Sequence, residues 1–171
     1  MTPVTVDLKK TAREYEASSK RAEERVIICA GTGCVANGAL RVHEAFVNEI
    51  ARRGLTAIVE LDHEDGAHGV FVSKSGCQGF CQMGPLVRIA SSNILYTKVT
   101  PEDVPEIVAE TLVAGRAVER LLYLDPVTGE RRRTSDDITF YRRQTRTVLK
   151  SCGHIDPEDI REYIANGGSS A

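Results

Sequence analysis

Four of the five cysteines fall into two tight pairs, Cys29 with Cys34 and Cys77 with Cys81, and this pairing constrains the chain more than any other feature. Four residues separate the first two, three separate the second two, and 42 lie between the pairs. Thiolates bind soft and borderline metals, and four of them complete either a tetrahedral zinc or the two irons of a [2Fe–2S] cluster. Each pair is short enough to sit on one loop. The first loop is Ala30-Gly31-Thr32-Gly33 and the second runs through Gly76-Cys77-Gln78-Gly79, so both hold glycines that accept positive φ and let backbone amides approach a ligand. Amide N–H groups aimed at sulfur stabilise thiolate charge and raise a cluster's potential. The unequal pairs, each following a strand-like run, depart from the commonest zinc spacing and favour iron–sulfur, yet spacing alone leaves zinc and uncoordinated thiols open. A Cys-x-x-Cys pair of the thioredoxin redox type does not occur.

The remaining chain is that of a globular protein able to fold without disulfides. With 171 residues, 42% of them hydrophobic and 27% charged, it has material for one domain and a smaller appendage. A formal net charge of only −2, no Trp and few aromatics argue against nucleic acid as a partner. There is no apolar run long enough to span a bilayer and no apolar signal-peptide core, so a cytoplasmic location is expected. In that reducing compartment paired cysteines are metal ligands or catalytic thiols sooner than disulfides.

Periodicity predicts a surface helix over Asp7 to Glu24, a buried strand over Arg25 to Cys29 and a helix over Asn37 to Arg53 closed by Gly54. Strands follow at Thr56 to Leu61 and Gly69 to Ser73, on either side of an acidic loop with Asp62, Glu64 and Asp65. Leu86 to Ala90 and Ile94 to Lys98 read as a hairpin. Thr100, Pro101 and Asp103 are a cap, an N1 proline and a first-turn carboxylate, opening a helix that Gly115 ends. The expected organisation is an N-terminal helical segment (1–24), an α/β domain (25–115), a linker (116–137) containing Arg131, Arg132 and Arg133, and an ordered stretch from 138 to 171. Cys152 reads as a small buried hydrophobe beyond the α/β unit, and the four histidines are scattered rather than set at ligand spacing. Phe80 and Met83 flank the second pair as candidate water shields, and Tyr141 with Arg142, Arg143 and Arg146 forms a basic patch suited either to docking or to plain solvation. General acid, nucleophile and substrate pocket are not evident, which points away from a complete catalytic site in this chain.

The run Cys29-Ala-Gly-Thr-Gly-Cys34, then Gly76-Cys77-Gln78-Gly79-Phe80-Cys81 and Gly84-Pro85-Leu86-Val87, resembles the thioredoxin-like [2Fe–2S] ferredoxin domain. More narrowly, the chain resembles the N-terminal region of the NADH-binding flavoprotein subunit of electron-bifurcating hydrogenases and complex I-like NAD(P)H oxidoreductases. That likeness continues through Pro101-Glu102-Asp103-Val104 and Cys152-Gly153-His154-Ile155-Asp156-Pro157 to Glu162-Tyr163-Ile164-Ala165. It implies an α/β, thioredoxin-like ferredoxin fold with an N-terminal helix and a C-terminal linker plus short helical extension. It also implies a [2Fe–2S] cluster on Cys29, Cys34, Cys77 and Cys81, one-electron transfer, and other redox subunits as partners. In that family the last stretch leads into a glycine-rich flavin and nucleotide domain, so 138–171 is expected to be the start of such a domain or a docking extension, with FMN and NAD bound only if the further domain exists. The alternative is a zinc-stabilised four-cysteine interaction domain without redox activity.

Overall fold

Strand β1 (Ala22–Cys29) is central because its last four residues, Val26, Ile27, Ile28 and Cys29, are all buried, the pattern of a strand covered on both faces. In the computed structural model, which describes residues 6–61 and 68–168, β1 belongs to a five-stranded sheet with β2 (Ala57–Ile58), β3 (Gly69–Ser75), β4 (Val87–Ile89) and β5 (Ile94–Tyr96), ordered β2-β3-β1-β4-β5. The neighbour β3 runs parallel to β1 and β4 runs antiparallel to it. Parallel register sets Cys29 opposite Ser75, so the loops leaving β1 and β3 emerge side by side at one end of the sheet.

One face of the sheet carries Val26, Ile28, Val70 and Val72 against Val42, Phe46 and Ile50 of a helix over Ala39–Arg52; Phe46 and Ile50 lie on the apolar side expected from the sequence, whereas Leu40, expected on that side, is exposed and Val42 is buried instead. Numbered in chain order, helix α1 spans Leu8–Ser19, α2 Thr32–Ala36 and α3 that Ala39–Arg52 segment. The other face is smaller: Tyr15 of α1 packs with Phe71, Ile58 and Leu61. Thr100 and Asp103 form the expected capping box, after which the chain passes through α4 (Val104–Ile107) into a wide π turn over Val108–Val113 and ends at Gly115, φ +69°.

Several boundaries move for physical reasons. The first helix stops at Ser19 because Ala22 and Glu24 already pair with β3. The loop after Cys29 holds the short α2, set off from α3 by Gly38 at φ +93°. Only Ala57 and Ile58 of the expected strand 56–61 pair, because this edge strand meets β3 alone and Val59 is exposed. The acidic loop with Asp62, Glu64 and Asp65 lies outside the described residues.

Residues 116–137, read as a linker, are packed. Val118, Leu121 and Leu122 enter the main core together with Ile138, and a small hairpin, β6 (Tyr123–Leu124) with β7 (Arg131–Arg132), follows. The turn-rich composition that suggests a linker belongs to residues 125–137, whereas the buried positions precede it, on and beside a single 3-10 turn over Glu119–Leu121 that is too short to announce itself by periodicity. Beyond it lie α5 (Thr139–Arg142) and α6 (Ile160–Ala165), and α6 packs against α1. The carboxylate of Glu162 in α6 takes a two-pronged ion pair from Arg25 of β1, at 2.6 and 3.1 Å, and accepts from the Asp156 N–H at 2.8 Å. Arg25 in turn donates to Ser73 and lies over the Phe71 ring. The chain from 138 to 168 is thereby fastened along the domain.

Candidate metal centre

The four paired cysteines meet where β1 and β3 end. Cys29 closes β1, its N–H donating to Leu86 O at 3.0 Å, and the next N–H, of Ala30, donates to Ser75 O at 2.9 Å. Cys34 sits on α2, while Cys77 and Cys81 bracket the loop that follows β3. The glycines allow the loops to interlock. A Cβ on Gly31 would stand 2.7 Å from the Cys77 Cβ, one on Gly33 would stand 3.1 Å from the Cys81 Cβ, and one on Gly84 only 2.6 Å from the Cys34 Sγ.

The thiols interact directly. The Cys77 and Cys81 sulfurs are 3.7 Å apart. Cys29 is pushed down to about 6, chiefly by the hydrogen bond from the Cys34 thiol; burial opposes this, and the N–H groups of Gln78 and Gly31 and the Cys77 thiol add to it. Cys34 moves up correspondingly, because it gives that hydrogen bond and is buried beside a thiolate. Cys81 moves up through its contact with Cys77. Backbone N–H groups therefore face sulfur on both loops: Gly31 and Gln78 face Cys29, Leu86 faces Cys34, and the Gly79 N lies 3.4 Å from the Cys77 Sγ. Donors of this kind stabilise sulfur-borne negative charge.

Around the thiols, Phe80 stacks on Phe140 at 4.8 Å between ring centroids and meets Tyr123 and Tyr141 edge-on. The Tyr141 hydroxyl is buried, has no hydrogen-bond partner among the described residues, and is pushed up first by burial and further by the charges of Cys29, Cys34 and Cys77. An orphaned donor near thiolates, a glycine cradle and four soft ligands in two pairs fit a thiolate-bound cluster. Among the described residues no group of three His, Cys, Asp or Glu side chains is arranged to hold a single metal ion.

Cys152 is nearer than its place in the sequence implies: a Cβ on Gly76, the residue before Cys77, would lie 3.3 Å from the Cys152 Sγ. It is half-buried rather than a core residue. His154 is likewise engaged, with Arg88 donating to its Nδ1 at 2.7 Å, and burial followed by the Arg88 charge lowers its pKa below the ordinary imidazole value. Arg146, read only as part of a basic patch, donates to the Gln78 carbonyl from 68 residues away. Sequence spacing carries no trace of that contact.

Thiols on two glycine-spaced loops at one end of a mixed sheet define a four-thiol site in a protein of α/β architecture. A family model described as thioredoxin-like [2Fe-2S] ferredoxin matches residues 8–112, and the chain belongs to that family. It is 39% identical over 66 residues to a 2Fe-2S ferredoxin of Clostridium pasteurianum, an alignment spanning 39% of this chain and 65% of that protein. It is 32% identical over 89 residues to a 2Fe-2S ferredoxin of Aquifex aeolicus strain VF5, covering 52% of this chain and 71% of that protein. Among solved structures, a thioredoxin-like [2Fe-2S] ferredoxin from Aquifex aeolicus is similar, with 28% identity, a TM-score of 0.47, and coverage of 58% of this chain and 89% of that one. Among the described residues no helix is long and apolar enough to cross a membrane.

Proposed function

We propose that this chain is a one-electron carrier whose [2Fe–2S] cluster is held by Cys29, Cys34, Cys77 and Cys81, and that it serves as a module of a multi-subunit NAD(P)H-linked oxidoreductase in the cytoplasm. The observation that carries the reading is the meeting of two glycine-spaced cysteine loops at the shared end of β1 and β3. A bound [2Fe–2S] cluster supplies reversible storage of one electron.

The chain's own residues do the rest. The N–H groups of Gly31, Gln78, Gly79 and Leu86 compensate charge on the thiolates, so an added electron meets fixed dipoles rather than reorganising water. Buried Cys29 and Cys34 root the site in the core, and Phe80 with Tyr141 limits water beside the second loop. Exposed Cys77 and Cys81 give a partner redox centre the shortest approach. The stretch 138–168 lies against the same loop, a placement that supports reading it as a docking extension for other redox subunits. FMN and NAD belong to this reading only through a further domain, since the glycine-rich turns here are committed to the cysteines.

Anaerobically purified protein is expected to hold about two irons and two acid-labile sulfides, to be brown, and to bleach with dithionite. NADH without added flavoprotein should leave the colour unchanged. Stoichiometric zinc in a colourless, sulfide-free sample would overturn the ligand assignment in favour of a structural zinc domain, and bleaching by NADH alone would overturn the module reading.

A further inference from the structure

We propose that Arg146 is a positioning residue for the cluster, holding the Gln78–Gly79 peptide so that its N–H is aimed at Cys77; this rests on the reading of Cys77 as a ligand. The Gln78 carbonyl and the Gly79 N–H belong to one planar amide and point in opposite directions. Arg146 Nη2 donates to that carbonyl oxygen at 2.5 Å, while the Gly79 N lies 3.4 Å from the Cys77 Sγ on the other side. A cation clamped on the oxygen fixes the direction of the N–H and polarises it.

Local backbone makes the arrangement possible. Gly79 has φ +85°, a left-handed conformation that a side chain resists, and a Cβ there would stand 3.2 Å from Arg146 Nη2. The glycine thus turns the peptide and leaves room for the guanidinium. Arg146 is held in its turn, its guanidinium 5.1 Å from the centre of the Tyr141 ring and its Nε 3.4 Å from Gln144 Oε1. Tyr141 and Phe140 pack on Phe80, the residue before Cys81, so the chain that delivers Arg146 is braced on the loop it orients. Arg142 and Arg143 are exposed whereas Arg146 is half-buried against this loop, which separates Arg146 from a general accumulation of positive charge.

Loss of the clamp leaves more uncompensated charge on Cys77, which favours the oxidised cluster and lowers the reduction potential. The test is an anaerobic redox titration of the full chain carrying its cluster, as wild type, R146M, R146K and the exposed control R143M, with iron and sulfide measured in each. R146M is expected to titrate at a more negative potential than wild type and than R143M, with R146K between wild type and R146M because it keeps the charge without the planar fork. An unshifted R146M, or an R143M shift as large as that of R146M, overturns the proposal. If R146M does not retain its cluster, R146K against wild type decides in the same way, and an unshifted R146K overturns it. A wild-type protein without iron or sulfide would instead bring down the ligand assignment itself.

Discussion

Cys29 and Cys34 lie in the core, each only 1% exposed, whereas Cys77 and Cys81 are open to solvent, although both pairs leave the same end of one sheet. The first pair is built by regular structure: a central strand ends at Cys29 and a short helix presents Cys34. The second rides on an irregular loop, braced by Phe80, by the Gln78 carbonyl's contact with Arg146 and by packing from chain more than 60 residues further on. Two kinds of support in one site divide its labour. On the proposed function, the buried pair would fix where charge sits and the exposed pair would let a partner approach it.

That division can be broken most decisively at the ligands. Cys34→Ala is expected to abolish the cluster, because no solvent or neighbouring side chain can reach the buried position to replace the thiolate. Cys81→Ser should keep a reduced amount of cluster with altered visible and EPR spectra, since an alkoxide or water can enter an exposed site. Iron, sulfide and spectra of the two variants check this, and equal loss in both would erase the distinction between the pairs.

Glu162→Ala tests whether the exposed loop depends on the fastening of the C-terminal stretch. Removing the partner of Arg25 leaves a largely buried cation uncompensated and should cost about 3 kcal/mol of stability, read as a lower urea midpoint. The cluster should survive, and become more accessible to chelators because the second loop loses its backing.

Gly31→Ala presses on the seam between the pairs. The new methyl would stand 2.9 Å from the Cys77 Cα, so backbone must yield, at a cost of about 1 to 3 kcal/mol. Lower iron occupancy with a broadened spectrum is expected, and thermal melts measured with and without cluster separate destabilised fold from distorted site.

Much of this contrast was legible in the residues. The run Val26 to Cys29 announces a buried strand, and Thr100 with Asp103 announces a cap that the structure contains. The glycines of the two cysteine loops read as positive-φ positions, and of Gly31, Gly33, Gly76 and Gly79 just Gly79 adopts it, at φ +85°; Gly31, at φ −65°, and Gly33 serve instead to let the two loops interlock. What could not be read was long-range. Val118, Leu121 and Leu122 are buried from one short turn ahead of the turn-rich residues 125–137, and Cys152 lies beside Gly76 in a segment held by the ion pairs of Glu162 and Glu158 and by the contact of His154 with Arg88. Single-sequence periodicity describes an element's own faces and says nothing of which distant segment covers them.

The smallest expected effect belongs to that fifth cysteine. Cys152→Ser should leave iron and sulfide content unchanged and cost about 1 kcal/mol or less, since its half-buried position tolerates a hydroxyl. Loss of colour in this variant would place a ligand beside Gly76 and redraw the second pair.

The parallel register of β1 on β3 also governs when the protein can acquire its colour. Cys29 faces Ser75 across that register, so the two halves of the site are strangers until strands far apart in the chain have zipped together, a slow, non-local event. A slip of one residue would displace one loop by about 3.3 Å and turn its side chains to the opposite face. Metal loading should therefore trail folding, and the visible band that grows in during reconstitution becomes a clock for correct strand alignment.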